Sequence, residues 1–177
     1  MTPDFPALWA RGVPWARYLR PEMEHYDLWR GVYEHAAPPA WAVEGFTASP
    51  ARKLLVLAAD WCGDASNSVP VLAALADRVP GMELRLLERD EFPDVMARYL
   101  TNGTRSIPIV IALDDAFAEL GHWGPRPAPL QEWVLANKAM IPSPQRYAYA
   151  RKWYAKDKGE TTLRELLNAV NGGTVNG

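Results

Sequence analysis

Cysteine is almost absent: Cys62 is the only one in 177 residues. A single thiol excludes an internal disulfide and any zinc site built on cysteines, and it removes the argument for an oxidising compartment. The three histidines, His25, His35 and His122, are scattered without ligand spacing, so no metal site is expected. No apolar run approaches the roughly 20 residues that span a bilayer, and the N-terminus MTPDFPALWARGVPW has no signal-peptide core. A cytoplasmic protein with no membrane partner is the expectation. Net charge is nearly missing too. The 19 basic and 21 acidic side chains leave −2, which gives no general attraction to nucleic acid. Internal repeats and low-complexity tracts are also lacking.

What is abundant is proline and tryptophan, with 16 and 8 residues. The prolines gather in residues 3–50 and 125–144 and leave a proline-poor centre. That distribution suggests a regular α/β core with helical flanks. The expected division is a helical N-terminal extension over 1–50 packed on the core, a central domain over 51–140, and a C-terminal helical extension over 141–172. A chain of this length buries about two-thirds of the surface its unfolded form exposes.

Periodicity fills in the elements. Pro21 suits a helix first turn, after which Met23, Tyr26, Trp29 and Tyr33 fall on one face. Pro38-Pro39 ends that helix, and Trp41, Val43 and Phe46 suggest a short further turn. From Arg52 the period changes: Leu54, Leu55, Val56 and Leu57 form the continuous apolar run of a strand covered on both faces. Ala65, Val69, Leu72, Ala76 and Val79 then mark a helix, with a kink expected at Pro70. Met82–Leu87 reads as a strand. Phe92, Val95, Met96, Tyr99 and Leu100 read as an amphipathic helix stopped by Asn102-Gly103. Ile107–Leu113 and Phe117–Trp123 make an antiparallel hairpin across Asp114-Asp115. A helix begins near Pro127 with Leu130, Trp133 and Val134, and an aromatic and basic helix spans Gln145–Lys158. Its acidic neighbours Asp157 and Glu160 favour packing over a nucleic-acid surface, so no nucleic-acid partner is expected. Thr162 with Glu165 fits a capping box for a last helix, and the tail GGTVNG is expected to fray.

The chemistry gathers at Lys53–Ser68. The strand ends in Ala58-Ala59-Asp60-Trp61, Cys62 occupies the turn, and a helix opens at Gly63 or Asp64. A thiol at a helix N-terminus just beyond a buried strand sits in the crevice of an α/β sheet, where the dipole and free N–H groups favour thiolate. Asp60 and Asp64 act in the opposite direction.

From about Arg52 to Asn137 the chain resembles the thioredoxin superfamily. The resemblance rests on Asp60-Trp61-Cys62-Gly63, on Pro70 eight residues after the cysteine, on Ser106-Ile107-Pro108 and on Gly124. More closely, Trp-Cys-Gly-Asp, Leu100-Thr101-Asn102-Gly103, Arg105-Ser106-Ile107-Pro108 and Trp123-Gly124-Pro125-Arg126-Pro127 together are similar to a bacterial branch called "thioredoxin family protein". The resemblance implies a thioredoxin-like α/β fold, a four-stranded mixed sheet flanked by helices, with additional N- and C-terminal helices. It implies that Cys62 is the nucleophile and that Pro108 is a cis-proline facing it, on a loop that offers its backbone to an extended peptide or a mixed-disulfide partner. Trp61, Gly63, Asp64, Arg105, Ile107 and Pro108 are then the candidate binding residues.

Two departures limit what the resemblance implies. Cys62-Gly63-Asp64-Ala65 stands where thioredoxins carry Cys-Gly-Pro-Cys, and Val56 stands where they carry a buried acid. Without a resolving cysteine, dithiol exchange through an internal disulfide is excluded. Ala59 replaces the threonine that a peroxiredoxin-like mechanism needs. The expected activity is a monothiol thiol–disulfide oxidoreductase type, with a protein or small-molecule disulfide as substrate, no resident cofactor, and glutathione as an external thiol. The alternative is a redox-inert module binding an extended peptide, with Cys62 as a small half-buried hydrophobe. Two side-chain roles stay open. Asp64 either orients a ligand or complements the helix dipole. Arg105 either binds a carboxylate or pairs with Asp60, Asp64 or Asp90.

Overall fold

The computed structural model describes residues 2–173; most of the tail expected to fray, from Thr174 onward, lies outside them. At its centre is strand β2 (Lys53–Ala58). Leu54, Leu55, Val56 and Leu57 are fully buried, because strands flank β2 on both sides and helices cover both faces. To specify the frame, the chain begins with α1 (Phe5–Arg11), β1 (Val13–Pro14), α2 (Trp15–Tyr18), α3 (Tyr26–His35) and α4 (Ala40–Ala48). After β2 come α5 (Gly63–Ala76), β3 (Glu83–Glu88), a 3₁₀ turn (Arg89–Glu91) and α6 (Pro93–Met96). The hairpin β4 (Ile109–Leu113) and β5 (Glu119–Trp123) follows, then α7 (Ala128–Asn137), α8 (Ser143–Asp157) and α9 (Glu160–Val170).

The sheet order is β1-β3-β2-β4-β5. β2 and β3 run parallel, with Leu54 opposite Leu84 and Leu57 opposite Leu87, joined through α5 as a crossover. β4 lies antiparallel to β2, and β5 antiparallel to β4, with an irregularity at Ala112/Leu113. Among the described residues the sheet therefore has five strands instead of four. The fifth, β1, adds Val13 and Pro14 antiparallel to Leu86 and Arg85 at one edge. Two residues are too few to carry an alternation signal, and proline is tolerated there because an edge strand needs fewer N–H donors.

The N-terminal aromatics share one core with the strands. Phe5, Trp9, Trp15, Tyr18, Trp29 and Phe46 join the same buried cluster as Leu55 and Ile111. The rings of Trp15 and Tyr18 sit 6.2 and 5.4 Å from that of Trp29.

Three local expectations change. The helix expected from Pro21 begins at Tyr26, because residues 21–25 turn instead, with His25 at φ 56°. The segment Phe92–Leu100 holds only the short α6, followed by turn residues, and Asn102-Gly103 makes a tight turn between Thr101 and Thr104. Both central residues have positive φ (49° and 75°), as a type I′ turn requires. The capping box does not form. Thr162 lies inside α9 and is fully buried, while Asp157 accepts the N–H and hydroxyl of Thr161. Glu165 reaches across to β5 and α7, accepting the Trp123 indole N–H at 2.7 Å and the Ala128 N–H at 2.8 Å.

Candidate functional site

Cys62 leaves the end of β2 through the turn Ala59–Trp61 and is the N-cap residue of α5. Its backbone is extended (φ −79°, ψ 117°), the usual N-cap geometry, and its carbonyl accepts the Ser66 N–H at 3.0 Å. The side chain turns toward the loop before β4, where the thiol donates to the Ile107 carbonyl over 3.5 Å. The Ile107–Pro108 bond is cis, and so is Gly124–Pro125 just after β5. These two loops touch. A Cβ on Gly124 would lie 2.1 Å from the Pro108 carbonyl oxygen, which leaves room for glycine only. Three chain segments thus converge at one end of the sheet, and Cys62 is 7% exposed among them.

The positions that would carry a second cysteine and a buried acid, Ala65 and Val56, are fully buried and apolar. Asp64 does more than complement a helix dipole. Its Oδ2 lies 2.8 Å from an Arg126 guanidinium nitrogen, and its Oδ1 accepts the Tyr154 hydroxyl at 2.9 Å. Arg126 also donates to Gln131 at 2.8 Å. Burial nonetheless holds the Asp64 carboxyl above its usual range, against the pull of Arg126 and Tyr154. Neither Arg126 nor Tyr154 stands out as a site residue in the sequence. Arg126 belongs to a proline-flanked motif that reads as a turn, and Tyr154 to a helix that reads as packing.

The electrostatics of the thiol follow from these neighbours. Burial pushes the Cys62 pKa up, and the Asp64 charge adds to it. The backbone N–H groups of Ala65 and Asp64, and the Arg126 charge, pull it down without offsetting the rise. The hydroxyl of Tyr18 is buried without a hydrogen-bond partner among the described residues, and the Glu88, Asp60 and Cys62 charges act on it.

The N-terminal extension is tied to the same turn. Asp60 Oδ2 accepts the Glu24 N–H at 3.0 Å, and the Asp60 carbonyl accepts the Trp29 indole N–H at 2.9 Å. Trp61 projects outward, 45% exposed, with the Arg89 guanidinium 5.0 Å above its ring. Arg105 is exposed and makes no ion pair among the described residues. Asp64 is taken by Arg126, and Asp90 by Arg89 at 3.0 Å. Gly63 opens α5, and apart from its chain neighbours and its own helix backbone no described atom lies within 4 Å of where a side chain would start. Among the described residues no group of three or more His, Cys, Asp or Glu side chains could hold a metal ion, and no helix is long and apolar enough to cross a membrane. In the aromatic-basic helix α8, Tyr154 packs inward while Lys152, Trp153 and Lys156 line an open groove toward α9.

The thioredoxin family model matches residues 15–145, from α2 to the first turn of α8. The chain belongs to the thioredoxin family. Two solved structures share this thioredoxin-family architecture along nearly their whole length. A protein of unknown function from Pseudomonas aeruginosa aligns with a TM-score of 0.74 and 21% identity, covering 97% of this chain and 99% of its own. An HIV epitope-scaffold aligns with a TM-score of 0.72 and 19% identity, covering 97% and 100%. At such identities the likeness is one of fold. No curated protein matches the chain in sequence.

Proposed function

We propose that this thioredoxin-family protein is a monothiol protein of the thiol–disulfide oxidoreductase type, acting through Cys62, as the similarity to the Trp-Cys-Gly-Asp branch implies. The observation that carries the reading is the thiol at the N-cap of α5, 3.5 Å from the Ile107 carbonyl and beside Pro108. In the proposed step the Cys62 thiolate attacks one sulfur of a substrate disulfide. The substrate S–S bond breaks, a Cys62 mixed disulfide forms, and the departing thiolate takes up a proton. An external thiolate such as that of glutathione then attacks the mixed disulfide and frees Cys62. Trp61 and Arg105 present an exposed ring and an exposed charge for contacts with the substrate, and Gly63, Asp64, Ile107 and Pro108 frame the sulfur. No resident cofactor or metal enters the scheme, and a cytoplasmic thiol pool suits it.

One observation favours a second reading. Burial and Asp64 hold the thiol above its ordinary pKa, and a hydrogen bond to a carbonyl is one that only the protonated form donates. On that reading Cys62 is inert, and the Trp61–Pro108 edge binds an extended peptide without covalent chemistry. The two are separated by incubating the protein with 2-hydroxyethyl disulfide and glutathione, with Cys62→Ser as control. The monothiol reading expects a mixed disulfide in the intact mass and turnover that disappears in the control. Absence of both, in a folded protein, sinks it and leaves the binding module.

A further inference from the structure

Asp64 is held from two directions by residues far apart in the chain. Its side chain is 15% exposed and sits two positions from Cys62. Arg126 reaches one oxygen from the loop after β5, and Tyr154 reaches the other from α8, a helix outside the sheet. Tyr154 is 5% exposed and lies beyond residue 145, where the family match ends. A buried carboxylate opposes the formation of a second negative charge beside it, and each donor that shares its charge relieves that opposition. We propose that Tyr154 and Arg126 are positioning residues for the Cys62 thiol, acting through Asp64. The C-terminal helix α8 then belongs to the thiol site.

The groups that face the sulfur are few. Asp64, Arg126 and Tyr154 act on its charge, and so does Tyr18 of α2. Both tyrosines stay neutral while the thiol titrates, since burial holds their hydroxyls well above the ordinary value. Asp64 is therefore the nearby group whose charge opposes the thiolate, and the phenol acts by sharing it. The inference rests on Cys62 being the thiol of the site, as proposed above, but its readout needs no turnover.

The test is the rate of Cys62 alkylation by iodoacetamide between pH 6 and 11, followed by intact mass. The variants are Tyr154→Phe, Asp64→Asn and the double substitution. Asp64→Asn removes the opposing charge and leaves Arg126, so its profile moves to lower pH. Each unit of that shift raises the thiolate fraction about tenfold at pH 7 and lowers thiolate nucleophilicity about threefold, a net acceleration of about threefold. Tyr154→Phe keeps the ring and removes the donor, so its profile moves to higher pH. In the Asp64→Asn background, Tyr154→Phe adds no further shift. Tyr33→Phe is the control for general destabilisation. It removes another phenol–carboxylate hydrogen bond, to Asp77, and leaves the wild-type profile. A Tyr154→Phe profile that matches wild type, or one whose shift persists unchanged in the double variant, overturns the proposal. Because Tyr154→Phe preserves volume, its profile decides the matter even where Asp64→Asn folds poorly. Shifted profiles without a mixed disulfide would sink the redox reading and leave this inference; an unshifted Tyr154→Phe with normal turnover would do the reverse.

Discussion

Gly124 should be the residue on which the geometry of the thiol site depends most. It adopts φ +131°, a region that side chains rarely occupy, and its missing Cβ would lie 2.1 Å from the Pro108 oxygen, 3.1 Å from the Pro108 carbon and 3.3 Å from Ile109 Cα. All three neighbours are backbone atoms, so relief requires one loop to move by about 1 Å against the sheet. Gly124→Ala combines a disfavoured φ, about 1–3 kcal/mol, with overpacking of a close contact, about 1–3 kcal/mol. The two are coupled and do not add strictly, so about 4 kcal/mol is the central expectation. Against a typical stability of about 5–15 kcal/mol the protein still folds. With an m-value of about 2 kcal/mol/M, the urea midpoint falls by about 2 M. The displaced loop carries the Ile107 carbonyl that accepts the Cys62 thiol, so alkylation of Cys62 under native conditions should accelerate as well. Gly63→Ala is the internal control. Apart from its chain neighbours and its own helix backbone, no described atom lies within 4 Å of its Cβ, so it should be neutral or stabilise by up to about 1 kcal/mol through a less flexible unfolded chain. A Gly124→Ala variant within about 0.5 kcal/mol of wild type, with an unchanged m-value, would refute the argument.

Two further predictions concern buried hydroxyls. The Thr162 hydroxyl is fully buried without a partner among the described residues, so Thr162→Val should stabilise the protein by about 1 kcal/mol; a lower urea midpoint would mean the hydroxyl is satisfied after all. Tyr18, Tyr99 and Tyr154 are all held above the ordinary tyrosine value, mainly by burial. The native chain keeps protons that the unfolded chain releases, so after a smaller decline that the raised Cys62 thiol begins near pH 9, the three tyrosines add a loss above about pH 10 that approaches about 4 kcal/mol per unit. Urea midpoints at pH 9, 10 and 11 measure this; Tyr99→Phe should remove about a third of the slope, and a flat profile above pH 10 would exclude it.

The central strands are readable in the sequence because burial on both faces leaves a run such as Leu54–Leu57 with no polar position. The thiol at the start of α5 is readable because strand, cysteine and helix are contiguous. Thr162 and Glu165 show where local reasoning fails. Their spacing satisfies the capping-box pattern, yet Gly159 is the N-cap, Asp157 accepts the Thr161 N–H, and Glu165 bridges to Trp123 and Ala128. The pattern describes a local competition that tertiary contacts can win. Phe92–Leu100 fails similarly: its apolar spacing suits a helix, but Pro93 restarts the chain, and the Asn102-Gly103 turn follows only after the short α6. Arg126 and Tyr154 leave no local signal because their partner, Asp64, is 62 and 90 positions away. An ion pair or a hydrogen bond across such a separation is decided by how helices and loops dock on a sheet.

Two physical effects act on the thiol, and they differ in weight. The raised pKa shrinks the thiolate fraction tenfold per unit, but the remaining thiolate is the stronger nucleophile, which returns about threefold. The net loss is about threefold per unit, so electrostatics alone slows Cys62 without silencing it. Access is the larger constraint. With 7% exposure, the sulfur lies among the Ile107–Pro108 loop, the helix α5 and the tyrosines brought by α2 and α8. On the proposed monothiol reading, Trp61, the exposed member of the group, is where a substrate disulfide would first make contact. The same high pKa makes Cys62 a poor leaving group, so a mixed disulfide once formed is released slowly when the external thiol attacks the substrate sulfur. If Cys62 acts as proposed, these properties favour a long-lived covalent complex over rapid turnover. The absence of a resolving cysteine at Ala65 has the same consequence, since no internal thiol is available to cut that complex short.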